Sequence, residues 1–280
     1  MIRCLITAIR TKTRFRTTSV ALLSLAISLP SLASETPNLD KINERGTLRV
    51  GMSTFVPWAM RDKQGELIGF EIDVAKRLAK DSGWQVEFVP TAWDGIIPAL
   101  LAQKFDVIIG GMSVTEERAR SVLFTQPYSH SGVQVAANKK LAEGFSEFSD
   151  FDSRRVKIAA RRGAFTVQVA RETFPKAKIL QFDDDSQAFQ EVINGNAHAV
   201  IASSPKPEHE TVKHSDKLFI PFNKRLSQGN EAFAVRLGEA DKEAFFNQWI
   251  EARTRDGWLI QRYEYWFSTL DWQEKTASGQ

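Results

Sequence analysis

From residue 47 onward the chain alternates short apolar runs with stretches whose apolar residues recur at helical spacing, and this alternation decides its fold class. "TLRVGM" reads as a strand, "GFEIDVAKRLAKDSG" as a helix closed by Gly83, and "WQVEFVP" as a strand with Trp84, Val86 and Phe88 on one face. "WDGIIPALLAQKF" is again helical, with Pro98 tolerable only near its first turn. "DVIIGGM" is apolar throughout, as suits the middle of a parallel sheet. The grammar starts afresh after Tyr128 with "GVQVAAN", "RVKIAARRG", the helix "TVQVARETF", the strand "KILQF", a helix near residues 186–195, and "AVIAS". Such repetition specifies an α/β protein built from two units. The final 40 residues read as two amphipathic helices around "DKEAFFNQWIEART" and "DGWLIQRYEYWF", whose aromatics belong to a core, and residues 271–280 as a polar, frayed tail.

The N-terminus stands apart. Arg3, Arg10, Lys12, Arg14 and Arg16, with no acidic residue among them, precede the apolar run "SVALLSLAISL" and the small-residue segment "SLAS". That order is a secretory signal peptide over residues 1–33, cleaved after about Ala33. Its 11-residue run is well short of the roughly 20 residues a bilayer span needs. The full chain has 37 Lys and Arg against 34 Asp and Glu; without residues 1–33 the balance is 32 against 34, so +3 becomes −2. The basic charge therefore belongs to the export signal rather than to a nucleic-acid surface. The one cysteine, Cys4, precedes the apolar run, so the exported chain is expected to be soluble, periplasmic and without disulfides or thiol chemistry.

Signatures of catalysis are sparse. "HETVKH" spaces His209 and His214 five apart, about 140° round a helix, which does not suit a zinc site, and both read as solvated. There is no G-x-S-x-G elbow, Walker loop or G-x-G-x-x-G. Asp183, Asp184 and Asp185 precede a helix and read as capping charge. No metal or cofactor is expected. The more informative stretch is "GMSVTEERARSVLFTQPY", residues 111–128. Ser113 and Glu116 have the spacing of a capping box, and Glu116 and Glu117 suit the positive end of a helix dipole. A side chain leaning toward the helix N-terminus brings Arg118 back toward Ser113 and the backbone N–H groups around Gly111, an arrangement fitted to a carboxylate. An exposed arginine paired with Glu117 or a nearby loop fits the local sequence equally well.

The ordered set of motifs is similar to that of the bacterial extracellular solute-binding proteins, family 3, which serve polar amino-acid ABC transporters. "GFEIDVAKRLA" (69–79) resembles the family's signature helix, "WDGIIPALLAQKFDVIIGGMSVTEERARSVLFTQPY" (93–128) follows its pattern almost residue for residue, and "GWLIQRYEYWF" resembles its closing helix. The resemblance implies a type II periplasmic binding protein fold: two lobes, each a mixed sheet flanked by helices, joined by two strand crossings. The first lobe would combine residues 38–132 with 231–270, and the second would span 133–230. The implied site places the ligand's α-carboxylate on Arg118, assisted by Gly111 and Ser113, and its side chain between Phe55 and Trp93, with Trp58 nearby or in the core. Arg161 would face the ligand side chain or stand at the rim in water.

Two positions depart from the pattern. Phe165 stands where a carboxylate-binding hydroxyl is common, leaving Thr166 to supply one, and Ser203 occupies the place of an aspartate that usually meets the ligand's α-ammonium. Either another acid, such as Glu231 or one of Asp183 to Asp185, takes that task, or the ligand has no ordinary α-amino group. The implied function is a monomeric receptor for an amino acid or related small carboxylate, partnered by an ABC transporter permease and not itself an enzyme. The alternatives are a sensing module of a signalling system and an enzyme like cyclohexadienyl dehydratase, which the chain also resembles in "PKAKIL" and its C-terminal helices. In those dehydratases an acid sits where this chain has Val167, which cannot transfer a proton.

Overall fold

The computed structural model describes residues 38–276; the expected signal peptide lies outside them. Helix α1 (Asn38–Arg45) leads into β1 (Thr47–Met52), the hairpin β2 (Met60–Arg61) and β3 (Leu67–Ile68), α2 (Phe70–Asp81) and β4 (Gln85–Pro90). A helical turn at Trp93–Gly95 runs into α3 (Ile96–Leu101), then β5 (Val107–Ile108), α4 (Glu116–Ala119), β6 (Val122–Phe124) and the long β7 (Ser129–Asn138). Next come α5 (Phe148–Phe151), β8 (Lys157–Arg161), α6 (Phe165–Thr173), β9 (Lys178–Phe182) and α7 (Asp185–Ile193). These are followed by β10 (Ala199–Ser203), α8 (Lys206–Lys213), β11 (Leu218–Phe219), β12 (Ser227–Glu231) and β13 (Ala234–Arg236). Finally, α9 (Ala240–Arg255) and α10 (Trp258–Tyr263) complete the chain, with a π-helical turn at Glu264–Ser268.

These elements form two principal mixed sheets. The first has the order β4-β1-β5-β13-β6, with β1 parallel to β4 and β5 and β13 antiparallel to β5 and β6. The second has the order β11-β7-β10-β8-β9, with β12 also paired to β7. Its central strands β7, β8 and β10 are apolar on both faces. Val133, Val135, Ile158, Ala160 and Ile201 pack on one side, and Ala136, Ala159, Val200 and Ala202 on the other, as expected of a sheet covered twice by helices. In the first sheet Leu48, Val50, Val107 and Ile109 meet Phe70, Val74 and Leu78 of α2 and Phe246, Trp249 and Leu259 of the terminal helices. Each such side chain contributes about 1.5–3 kcal/mol when fully buried.

The chain crosses between the sheets twice, from β6 into β7 and from β12 into β13, and the crossings are bonded to each other. Ser227 to Glu231 run antiparallel to Val133 to Ser129, Tyr128 N–H donates to the Glu231 carbonyl at 2.9 Å, and Thr125 N–H to that of Phe233 at 3.0 Å.

Two local expectations are corrected. The strand in "DVIIGGM" is only Val107–Ile108, because Gly111 at φ 65° turns the chain out of the sheet. Residues 271–276 are not a frayed end. Trp272 is 3% exposed, packs on Trp266 with ring centroids 5.9 Å apart, and the Lys275 carbonyl accepts from Lys63 N–H.

Buried carboxylic acids flank the crossings. Glu71, fully enclosed on α2, accepts from the Tyr128 hydroxyl at 2.6 Å, and its Oε1 has no partner among the described residues. Glu231, 1% exposed, accepts from Ser131 Oγ at 2.6 Å and Ser129 Oγ at 3.3 Å. Burial pushes Glu71 up to about 8 against the opposing Tyr128 hydrogen bond, with Glu231 adding repulsion. Burial likewise raises Glu231 to about 8 against its two serines. Both acids are therefore uncharged near neutral pH.

Gly69, the first residue of the signature helix motif, has φ 133°, and a Cβ there would lie 2.3 Å from the Trp58 carbonyl oxygen. Gly69→Ala is expected to lower unfolding free energy by about 1–3 kcal/mol in urea titration, with fluorescence of the displaced Trp58 changing in step. A separate signature comes from the acids. Their folded pKa values lie above the unfolded ones, so their protonated contribution is complete below about pH 4.5 and is lost as pH rises toward about 8. The stability of the parent protein relative to Glu71→Gln should fall across that interval and level off above it; a flat difference curve would refute the assignment.

Candidate functional site

Arg118 is aimed by a short helix. Thr115, not Ser113, is the N-cap: its Oγ1 accepts from Arg118 N–H at 3.2 Å, so the expected capping box from Ser113 to Glu116 does not form. Ser113 is instead buried where its backbone bridges to Glu231. The Arg118 side chain does lean toward the helix start. Its Nη1 donates to the Ser113 carbonyl at 2.7 Å and its Nη2 to the Gly163 carbonyl at 3.0 Å, on the loop between β8 and α6. Among the described residues the guanidinium has no ion-pair partner, Glu117 included. Burial depresses its pKa to about 10, with Glu117 opposing from a distance.

Gly111 permits this packing. A Cβ on it would lie 2.9 Å from the Phe55 ring and 3.0 Å from Trp58, so no larger residue fits. Its N–H is not free for a ligand, as the sequence suggested, but donates to Tyr128 Oη at 3.3 Å. Glu71, Tyr128 and Gly111 thus form one hydrogen-bonded line from the core to the cleft wall. Glu71 shares the helix face of Val74, Ala75 and Leu78, and that charge on an apolar stripe was the sequence signal for it.

Phe55 and Trp93 face the cleft with ring centroids 6.4 Å apart and planes at 54°. Trp58 is core: it stacks on Phe55 at 5.4 Å and meets Phe70 and Phe267 edge-on. The slot between Phe55 and Trp93 holds a guanidinium of the protein itself. Arg161, at the end of β8, lies 5.3 Å from the Phe55 centroid and 5.1 Å from that of Trp93, and its Nη2 donates to Ser53 Oγ. It is 4% exposed, which excludes a rim position in water. Ser53 was not apparent from the sequence, because its role depends on a side chain 108 residues away.

Thr166, in the first turn of α6, is 3% exposed and its Oγ1 has no partner among the described residues. Ser203 ends β10. Phe55, Trp93, Gly111, Ser113, Arg118, Arg161, Thr166 and Ser203 all line a single cavity of about 30 Å³, together with Ala164, Phe165 and Asp185. Larger cavities of about 540 and 340 Å³ flank it, sharing Trp93 and Arg118 on one side and Phe55 and Asp185 on the other. Side chains thus partition one cleft. Asp184 caps α7 as expected, whereas Asp185 is the carboxylate that lines the small cavity. Burial raises its pKa, while Arg161 and Lys206 pull it down. Glu231 faces the crossing strands and its serines instead.

Among the described residues no helix is long and apolar enough to cross a membrane. The chain is 28% identical to the cyclohexadienyl dehydratase of Pseudomonas aeruginosa over 95% of its own length and 98% of that protein. It is 31% identical to the L-cystine-binding protein TcyJ of Escherichia coli, covering 89% of this chain and 92% of that one. Among solved structures, the ancestral amino-acid-binding protein AncCDT-1, a precursor of cyclohexadienyl dehydratase, matches with a TM-score of 0.75 and 40% identity over 82% of this chain and 99% of that one. The family pattern of the bacterial extracellular solute-binding proteins, family 3, spans residues 48–269, and with the two-sheet type II fold and its paired crossings this chain belongs to that family.

Proposed function

We propose that this chain is the periplasmic receptor of an ABC importer, capturing an amino acid or related small carboxylate between two lobes and presenting it to a membrane permease. The lobes comprise residues 38–132 with 231–270, and residues 133–230. The observation that carries the reading is the Arg118 guanidinium, half-buried, free of any carboxylate partner among the described residues, and directed by Thr115 and Ser113 into a cavity walled by Phe55 and Trp93. A ligand carboxylate supplies the partner that a buried guanidinium lacks.

At about 30 Å³ this cavity alone is smaller than any amino acid, so a captured ligand extends into the flanking cavities or parts the cleft. Free energy for reclosure comes from contacts a bound ligand makes to both sides. Arg118 already joins them through Gly163, and a bound carboxylate competes for that donor.

A catalytic reading draws on the dehydratase relative. It requires a proton donor beside the substrate, and Val167, in the wall of the larger cavity, has none. The receptor reading is therefore preferred. Conversion of prephenate or arogenate by the purified protein would overturn it.

Arg118→Ala is expected to raise the Kd of the bound carboxylate by the equivalent of about 2–5 kcal/mol in isothermal calorimetry. Unchanged affinity would remove Arg118 from the site. A thermal-shift panel of amino acids and dicarboxylates identifies the ligand for that measurement, because a ligand at about 100 times its Kd adds roughly 2.7 kcal/mol to stability.

A further inference from the structure

The cavity wall carries more positive charge than one ligand carboxylate requires. Arg118 and Arg161 both line it, Arg161 buried and Arg118 half-buried, and neither forms an ion pair among the described residues. Asp185 is the single acidic residue in the same wall. Arg161 also has unspent hydrogen-bonding capacity: Nη2 is held by Ser53, but the buried Nε has no partner, and neither has Thr166 Oγ1 beside it in the lining. An unpartnered buried donor on a charged group is costly, and an anionic ligand group is the chemistry that relieves it.

The aromatic slot points the same way. Phe55 and Trp93 offer two π-faces, the surface on which a cationic ligand side chain would rest. Here the Arg161 guanidinium already covers both at 5.3 and 5.1 Å, and Arg118 approaches Trp93 from 5.8 Å. A ligand with a cationic side chain has to displace Arg161 and brings two positive charges, its ammonium and its side chain, to a site that already holds two arginines and one carboxylate. A ligand with a second anionic group instead keeps Arg161 on its aromatic seat and uses its open N–H.

We propose that Arg161 is the specificity-determining residue of this site, selecting acidic amino-acid ligands, with one carboxylate on Arg118, the second anionic group on Arg161 and the ammonium toward Asp185. This inference rests on the carboxylate-receptor reading above and refines its ligand class.

Calorimetry on the full exported chain, stripped of bound ligand by unfolding and refolding, compares L-glutamate and L-aspartate with L-glutamine, L-asparagine, L-arginine and L-lysine. The parent protein should bind an acidic member at least about 30-fold more tightly than its amide counterpart, the scale of one buried charge partner. Arg161→Gln should erase most of that ratio. Arg161→Lys, which keeps the charge but not the planar fork, should retain part of it. Thermal unfolding of both variants checks that they fold, and the parent's own ratios stand whether or not they do. Tighter binding of an amide or of a cationic amino acid by the parent protein overturns the inference while leaving the receptor reading intact. An unchanged acid-to-amide ratio in a folded Arg161→Gln protein also overturns it. Failure of all six amino acids to bind overturns the inference, and the receptor reading is then decided by the wider thermal-shift panel.

Discussion

Arg118 reaches from α4 to the Gly163 carbonyl while Arg161 reaches back from β8 to Ser53, so two guanidinium groups cross one cleft in opposite directions. Much of the local structure follows from holding those charges away from water. An isolated buried cation is expensive, and here carbonyl oxygens, a serine hydroxyl and aromatic faces stand in for hydration. Those partners are neutral. They hold each guanidinium in place without forming an ion pair, while Asp185, Asp184 and Asp94 act on Arg161 only from a distance. Such a state suits the receptor role proposed above: closed contacts exist, but each is weaker than the ion pair a ligand carboxylate would form in its place.

Behind this surface lies a second set of buried groups with the opposite solution. Glu71 and Glu231 are kept uncharged by burial, and hydroxyls from Tyr128, Ser129 and Ser131 satisfy them in part. Because both acids sit on or against the crossing strands, a negative charge there would fall inside the element that connects the two sheets. Protonation lets the strands pack tightly. Through Tyr128 the same network fixes the Gly111 N–H, which in turn seats Phe55 and Trp58 against the turn. The cleft wall is thus continuous with the hinge in hydrogen bonds as well as in sequence.

Strands at Thr47–Met52, Lys178–Phe182 and Ala199–Ser203 were legible to the residue because each is a short, largely apolar run between helical stretches. The candidate site was legible as a set: its eight residues came from motif resemblance, and all eight line one cavity. Roles within the set were less so. Thr115 outcompeted Ser113 as a cap because the crossing strand draws Ser113 into a bridge with Glu231, a contact between residues 118 apart that no local pattern encodes. Trp272 likewise joined the core through Trp266, although its flanking residues are polar. The position of Arg161 depended on Phe55 and Trp93 meeting across the first sheet, so only tertiary structure decided between rim and slot.

Similarity to both a dehydratase and amino-acid-binding proteins places the weight of function on a handful of side chains, since a common fold carries either chemistry. In this chain the decisive positions form a consistent electrostatic pattern. Two cations without carboxylate partners face one acid, a hydrocarbon stands at Val167, and a neutral hydroxyl at Ser203 closes the second sheet's contribution. In the small cavity the two guanidinium groups are suited to holding anions, with Asp185 as the one acid in its lining. The one acid lining the small cavity comes from the start of α7, while β10 ends in the hydroxyl of Ser203. On the receptor reading proposed above, the ligand has to match the spacing between Arg118, Arg161 and Asp185.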